Sequence, residues 1–263
     1  MGSEVNGILV AAHELKTPLS LMRQLALSLE DTDDSSTRAH IQSQIISVSE
    51  RAMRQVNDLT KIARLEDGLF EMEPVSVRGI CESVWRELEP LFGYKHKSLH
   101  PVYTNRSRLA VANPDLLYSI VYNFCANAMH YSHSDTVSVL SVSDVYEKDT
   151  DDGAHTKYKD TDNPQTGARR NLPTKRNPNR IRIGVRDFGP ALPAPIWREF
   201  RRGYLDRPTA IAMRPGSSGL GLYIASEFAR HMHAELGAIR HRDGTSFFIE
   251  LPISRQASLF RPD

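Results

Sequence analysis

Cysteine is scarce: Cys81 and Cys125 are the only two in 263 residues, too few for a disulfide framework or a thiolate metal cage. Their scarcity suits a reducing compartment. Excess charge is missing too. The 33 basic and 32 acidic side chains leave a net charge of +1, so no global field points to nucleic acid or to an anionic membrane. The longest apolar runs, such as Ile8-Leu9-Val10-Ala11-Ala12, fall far short of the roughly 18 residues a membrane span needs. No basic, apolar, small-residue leader opens the chain. What is present is an ordinary soluble composition, 40% hydrophobic and 25% charged. The length suggests about two domains, or one large one, with a core that needs no staples.

From Ile8 to Leu29, apolar residues fall at 8, 12, 15, 19, 22, 26 and 29. This 4-3 spacing predicts a helix with a coiled-coil-like seam. A polar stretch, Glu30 to Thr37, offers several helix caps, and the seam resumes at Ile41, Ile45, Val48, Ala52, Val56, Leu59 and Ala63. Two helices cannot bury a stripe on every face, whereas two copies of the hairpin form an antiparallel four-helix bundle. The plainer alternative is a single hairpin capping the rest of the chain. On the first helix lies His13-Glu14-Leu15-Lys16-Thr17-Pro18. His13 is off the seam and is expected to face solvent, Thr17 shares its face one turn on, and Pro18 is expected to bend the helix. The other nine histidines, including His130, His133, His231 and His233, show no ligand set at metal spacing.

The remainder reads as an α/β domain. Leu65-Glu66-Asp67-Gly68 ends the second helix on a glycine stop, and Pro74 marks a linker. Ser76 to Phe92 is expected to be helical, with Ile80, Val84, Leu88 and Leu91 as its stripe and Cys81 packed beside it. Leu109 to Ala112 reads as a short strand, and Pro114 opens a helix that buries Leu117, Ile120, Val121, Phe124 and Cys125. Asn123 and Asn127 lie one turn apart on that helix. They are either surface amides or groups with something to bind. Thr136–Val142 and Arg180–Arg186 alternate as strands do. Between them, 144–179 holds only four large apolar residues and reads as a long mobile loop, with a docking role as the alternative. Asp187-Phe188-Gly189-Pro190 sets an acid at a strand end before a glycine turn. Gly216 to Leu222 runs glycines into the helix Tyr223–His231, a phosphate cradle if the helix amides are bare. Asp243-Gly244 turns into a closing strand, Ser246–Leu251.

Taken in this order, the elements from about Ile8 to Pro252 resemble the catalytic core of a two-component sensor histidine kinase. His13 to Pro18 is similar to the family's H box and Asn123 to Ser132 to its N box. Asp187-Phe188-Gly189 matches the first half of the G1 box, Trp197 to Arg202 the F box, and Gly219 to Leu222 the G2 box. The resemblance implies an α+β fold: an N-terminal helical hairpin forming a dimeric four-helix bundle, then an α/β sandwich ATP-binding domain with a mixed sheet layered with helices. The implied segments are 1–68 (dimerisation and histidine phosphotransfer), 69–76 (linker), 77–253 (ATP-binding, with the insertion 144–179) and 254–263 (tail).

The resemblance also assigns roles. ATP is the implied substrate, with Mg²⁺ held by Asn123 and Asn127. Around the nucleotide it sets His130, Tyr131, Asp187, Gly189, Arg202, Ser218, Gly219, Leu220, Gly221 and Leu222, with Asp187 accepting from the adenine amino group and Tyr131 packing on the base. His13 is the implied phosphate acceptor and Glu14 its general base. Glu14-Leu15-Lys16-Thr17 matches the E-x-x-T pattern of regulator phosphatases, in which Thr17 positions water. The implied partners are a second copy of the chain and a response-regulator receiver domain, with no nucleic acid or membrane contact. The implied location is the cytoplasm, alternatively as the soluble core of a membrane-anchored kinase; Met1-Gly2-Ser3 resembles a cloning scar. Some residues depart from the family pattern. His130 stands where a Lys or Arg is usual, which would make the charge there depend on pH. Ala191 replaces a G1 glycine, Trp197 an F-box phenylalanine, and Ala234-Glu235 a glycine pair. A competing reading is an ATP-binding scaffold or regulator phosphatase that does not autophosphorylate. An ATPase clamp acting on DNA or clients leaves the His13 box unexplained.

Overall fold

A computed structural model describes residues 16, 18–104, 108–146, 178–201 and 220–255. His13, Glu14, Thr17, Arg202, Ser218 and Gly219 lie outside the described residues, as do most of the insertion and the glycine run before Leu220. Among the described residues no helix is long and apolar enough to cross a membrane.

Helix α1 covers 18–30 and α2 covers Ser35–Ala63. The polar stretch supplies the cap: the Asp34 carboxylate accepts from Thr37 N at 2.8 Å. Hydroxyls of Ser36 and Thr37 donate to the same carboxylate and hold it well below the usual carboxylate range. Leu65–Asp67 adds one 3₁₀ turn, and Gly68, at φ 70°, ends the hairpin where the stop signal falls. The expected seam is only partly exposed. Ile41 and Ala52 are buried, and Ile45, Val48 and Leu59 are half-buried. The most open apolar side chains include Ile46 (58%) and Met53 (60%), which lie off that seam.

The second unit is two-layered. Strands β2 (Ser98–Tyr103), β4 (Val137–Val145), β5 (Arg180–Arg186), β6 (Glu235–His241) and β7 (Gly244–Pro252) form one sheet in the order β2-β4-β5-β7-β6. Only β2–β4 is parallel. Strands β1 (Glu73–Ser76) and β3 (Leu109–Ala112) form a separate antiparallel pair. Helices α3 (Val77–Tyr94), α4 (Pro114–Tyr131) and α6 (Leu220–His231) supply the other layer, and α5 is Ala194–Arg201. Alternation explains the face that β5 presents: Ile181, Ile183 and Val185 are buried, and Arg182 on the opposite face pairs with Glu250 of β7.

Helix α3 buries Val77, Cys81, Val84, Leu88 and Phe92, so Cys81 is central to the stripe, and Leu91, expected inside, is exposed. Burial pushes the Cys81 thiol up to about 12, which leaves it an inert core group. Trp85 Nε1 donates to Leu99 O at 2.9 Å and fastens α3 to the edge strand β2. Helix α4 starts with Pro114 in its first turn and Asn113 as cap, whose Oδ1 accepts from Asp115 N and Leu116 N, both at 3.1 Å. Its Nδ2 donates to Glu71 O at 3.1 Å, tying the stretch that follows Gly68 to the helix start.

Asn113→Ala removes the cap and the Glu71 bond together, so the expected loss of unfolding free energy is roughly 1–2 kcal/mol. Urea denaturation at constant m value reads it. An unchanged midpoint would refute the assignment.

Candidate functional site

Helix α4 positions the site because its two sides differ. Ile120, Val121, Phe124, Cys125 and Ala128 are buried, with Phe124 stacked on Phe247 of β7 at 5.8 Å between centroids. The facing side turns Asn123, Asn127, His130 and Tyr131 onto a cavity of about 610 Å³. Its other walls come from Gly221 and Leu222 at the start of α6, Leu192 and Phe247, and from α1 and α2 through Leu21, Ser47 and Arg51. A cavity of this size suits a small molecule such as a nucleotide.

Six of the expected residues therefore line one cavity: Asn123, Asn127, His130, Tyr131, Gly221 and Leu222. Asp187, Gly189 and Leu220 do not line that cavity. Asp187 is 1% exposed, and its Oδ1 accepts from Thr245 N at 2.9 Å and Gly189 N at 3.4 Å. Leu220 is fully buried, which makes its side chain a packing group.

Close approach requires one glycine here and crowds a second. A Cβ on Gly189 would lie 1.9 Å from Tyr131 O, and one on Gly221 would lie 3.3 Å from Asn123 Oδ1. The first contact brings the end of β5 against the end of α4, where Phe188 N donates to Ser132 Oγ (3.1 Å) and His133 N to Phe188 O (3.0 Å). The second leaves the Asn123 amide room beside α6.

The Asn123 Nδ2 is buried without a hydrogen-bond partner. An unmatched buried amide beside a cavity is the kind of group a ligand completes. The residues also fit Mg²⁺, which takes hard oxygens and keeps waters and phosphate ligands. Asn123 and Asn127 supply amide oxygens one turn apart, and among the described residues no group of three or more His, Cys, Asp or Glu could hold a metal by itself.

His130 differs from expectation. Burial, followed by repulsion from Arg51, Lys95 and Lys97, lowers its pKa to about 3, so the ring stays neutral where a pH-dependent charge was expected. Arg51 Nη1 lies 3.2 Å from His130 Nε2 and Lys95 Nζ lies 3.5 Å from His130 Nδ1. Lys97 Nζ donates to Met129 O at 2.8 Å. Neither Arg51 nor Lys95 stood out in the sequence. The only signal there was the basic pair Lys95 and Lys97 just after a helix end.

Residues 112–255 match the family described as histidine kinase-, DNA gyrase B-, and HSP90-like ATPase. Residues 8–68 match the His Kinase A (phospho-acceptor) domain. The sensor histidine kinase GlrK of Escherichia coli is 25% identical over 254 residues, covering 93% of this chain and 45% of that protein. The chain spans less than half the length of the curated relatives it matches. Full-length ShkA in complex with AMPPNP has a similar fold (TM-score 0.56, 19% identity, 97% of this chain and 48% of that one). So does ThkA in complex with the response regulator TrrA (TM-score 0.56, 14% identity, 92% of this chain and 60% of that one).

The His130 ring should give no titration by NMR between about pH 5 and pH 8. The sign for stability follows. The folded pKa lies below the ordinary 6.5, so the contribution is fully present above 6.5 and is lost as pH falls toward about 3. The groups facing the ring are Arg51, Lys95, Lys97 and Tyr131. A midpoint near 6.5 would show that the ring is solvated and the cluster wrongly described.

Proposed function

We propose a function from the premise that this chain belongs to the histidine kinase-, DNA gyrase B-, and HSP90-like ATPases and carries a His Kinase A phospho-acceptor domain ahead of that ATPase domain. It is the catalytic core of a sensor histidine kinase: it autophosphorylates His13 from Mg-ATP and passes the phosphoryl group to an aspartate of a response regulator. Residues 1–68 are the acceptor and dimerisation unit, 69–76 the linker, 77–253 the ATP-binding unit with its insertion 144–179, and 254–263 the tail. The protein works as a homodimer on the cytoplasmic side. The observation that supports this most is the cavity wall, built jointly by the paired asparagines of α4 and by the phospho-acceptor hairpin.

In this reading Asn123 and Asn127 would hold Mg²⁺, which would supply positive charge to offset that of the ATP phosphates. Tyr131 packs on the base, Asp187 accepts from the adenine amino group, and Gly189, Arg202, Ser218, Gly219, Leu220, Gly221 and Leu222 border the nucleotide. A His13 imidazole nitrogen attacks the γ-phosphorus in line. The bond from that phosphorus to the bridging oxygen breaks, ADP leaves with the electron pair, and the imidazole proton passes to Glu14. The phosphoramidate then gives its phosphoryl group to a carboxylate of the regulator. In the reverse duty Thr17 orients a water toward the regulator's aspartyl phosphate.

Incubation with γ-labelled ATP and Mg²⁺ tests the reading, and an acid-labile, alkali-stable label is the expected result. His13→Gln should bind nucleotide as the wild type does and take up no label above background. Asn127→Asp puts a carboxylate beside the phosphates and should also go unlabelled, while the hairpin still dimerises. Label that appears only when the two variants are mixed indicates transfer between subunits, provided mixed dimers form. A labelled His13→Gln chain would sink the acceptor assignment. Nucleotide binding with no label in the wild type would leave a scaffold or regulator phosphatase.

Thr17→Ala separates the two duties of the hairpin. It removes one hydroxyl a turn from His13, so labelling should stay within about twofold while regulator dephosphorylation falls by roughly a hundredfold. Equal loss of both activities would show that Thr17 supports the helix rather than a water.

A further inference from the structure

Beside the asparagines lies a cluster of cations that the reading above leaves unused, two of which, Arg51 and Lys95, line the cavity. Arg51 comes from the middle of α2, and Lys95 and Lys97 from the turn after α3; all three surround His130. A neutral imidazole has one acceptor nitrogen and one N–H, so it accepts from only one of the two side chains that reach it. Among the described residues no carboxylate is ion-paired with Arg51, Lys95 or Lys97, and Asp58, on the same wall, is engaged by Lys61 and Ser119. Burial, then the neighbouring Lys97 and Arg51, lowers the Lys95 pKa, as expected for crowded like charges. His130 is three residues beyond Asn127, about 4.5 Å further along the α4 axis. An anionic chain gripped at the asparagines and extended along α4 therefore ends among these cations.

We propose that Arg51 and Lys95 form a clamp for the terminal phosphate of a nucleoside triphosphate, one jaw on the phospho-acceptor hairpin and the other on the ATP-binding domain, with the His130 ring between them. The clamp rests on the ATP reading above and adds to it a reason for the hairpin to recognise triphosphate over diphosphate. A γ-phosphate draws α2 onto the domain through a charge-assisted bond from Arg51, and its departure releases α2. Arg51 is thus a specificity and positioning residue, not a group that takes part in bond breaking.

The test is calorimetric titration of the full chain with AMPPNP and with ADP, in Mg²⁺, alongside melting of each nucleotide-free variant. Arg51→Gln and Lys95→Gln should each weaken AMPPNP by about tenfold and ADP by less than about twofold. Lys95→Arg should keep the discrimination. Removing one cation from the crowd should hold or raise the melting temperature without nucleotide, which a purely structural role for Lys95 would lower. Arg51, being exposed, carries the test if Lys95→Gln loses its fold. Equal losses for the two nucleotides, or none, with wild-type binding intact, would overturn the clamp and leave the ATP reading standing. A wild-type chain that binds neither nucleotide would overturn both.

Discussion

The burial of α4 against the sheet decides where every other functional group can sit. Phe124 and Cys125 are fully buried, with Phe124 against Phe247, so the helix cannot rotate about its axis without opening a cavity in the core. That fixed rotation turns Asn123, Asn127 and His130 outward together. The end of the helix is fixed as well. Tyr131 O and Gly189 meet at a distance that admits no side chain, and the Ser132 and His133 bonds to Phe188 join the helix end to the end of β5. Asp187 is held from below by Thr245 N on β7. Adjacent strands of one sheet thus align the acid, while the helix across the core aligns the amides, and neither can shift alone.

Much of this was legible because it is local. The cap at Asn113, Pro114 in the first turn and the apolar stripe of α4 lie within about twenty residues, and the alternation of β5 is visible in its own sequence. The stretches not read as strands are those whose pairing depends on other chain segments. β2 carries Pro101 and lies at one edge of the sheet; β6 lies at the other edge and buries Leu236, Gly237 and Ala238 in succession. Gly237 there faces the ring of Phe248, which leaves no room for a Cβ, so the residue that weakens the strand pattern is the one the packing needs. β1 pairs with β3 across the whole of α3, a contact that no four-residue window contains.

The site divides in the same way. The two asparagines share a face by helical spacing and could be read together, whereas Arg51 meets His130 across 79 positions. No periodicity in a single chain reports such a contact. The expectation for His130 failed for a related reason: its sequence neighbours say nothing of Lys95 or of the burial that keeps the ring neutral.

The hairpin meets the ATP-binding domain through apolar packing of Leu59, Ile62 and Leu65 against its core and, further along α2, through polar groups. Arg54 pairs with Glu87 and lies over the Tyr122 ring at 3.8 Å, while Tyr118 donates to the same Glu87. Both partners of that ion pair remain partly solvated, so it adds little to stability. Asp58 is different, at 3% exposure, with Ser119 Oγ donating at 2.9 Å and Lys61 at 3.6 Å; removing either partner would leave a poorly compensated buried charge. The polar part of the contact therefore sets register through one buried group and adds modest energy through the exposed ones. The open apolar side chains of α2, Ile46 and Met53, gain nothing from that polar docking and still need cover. A second copy of the hairpin would supply such cover.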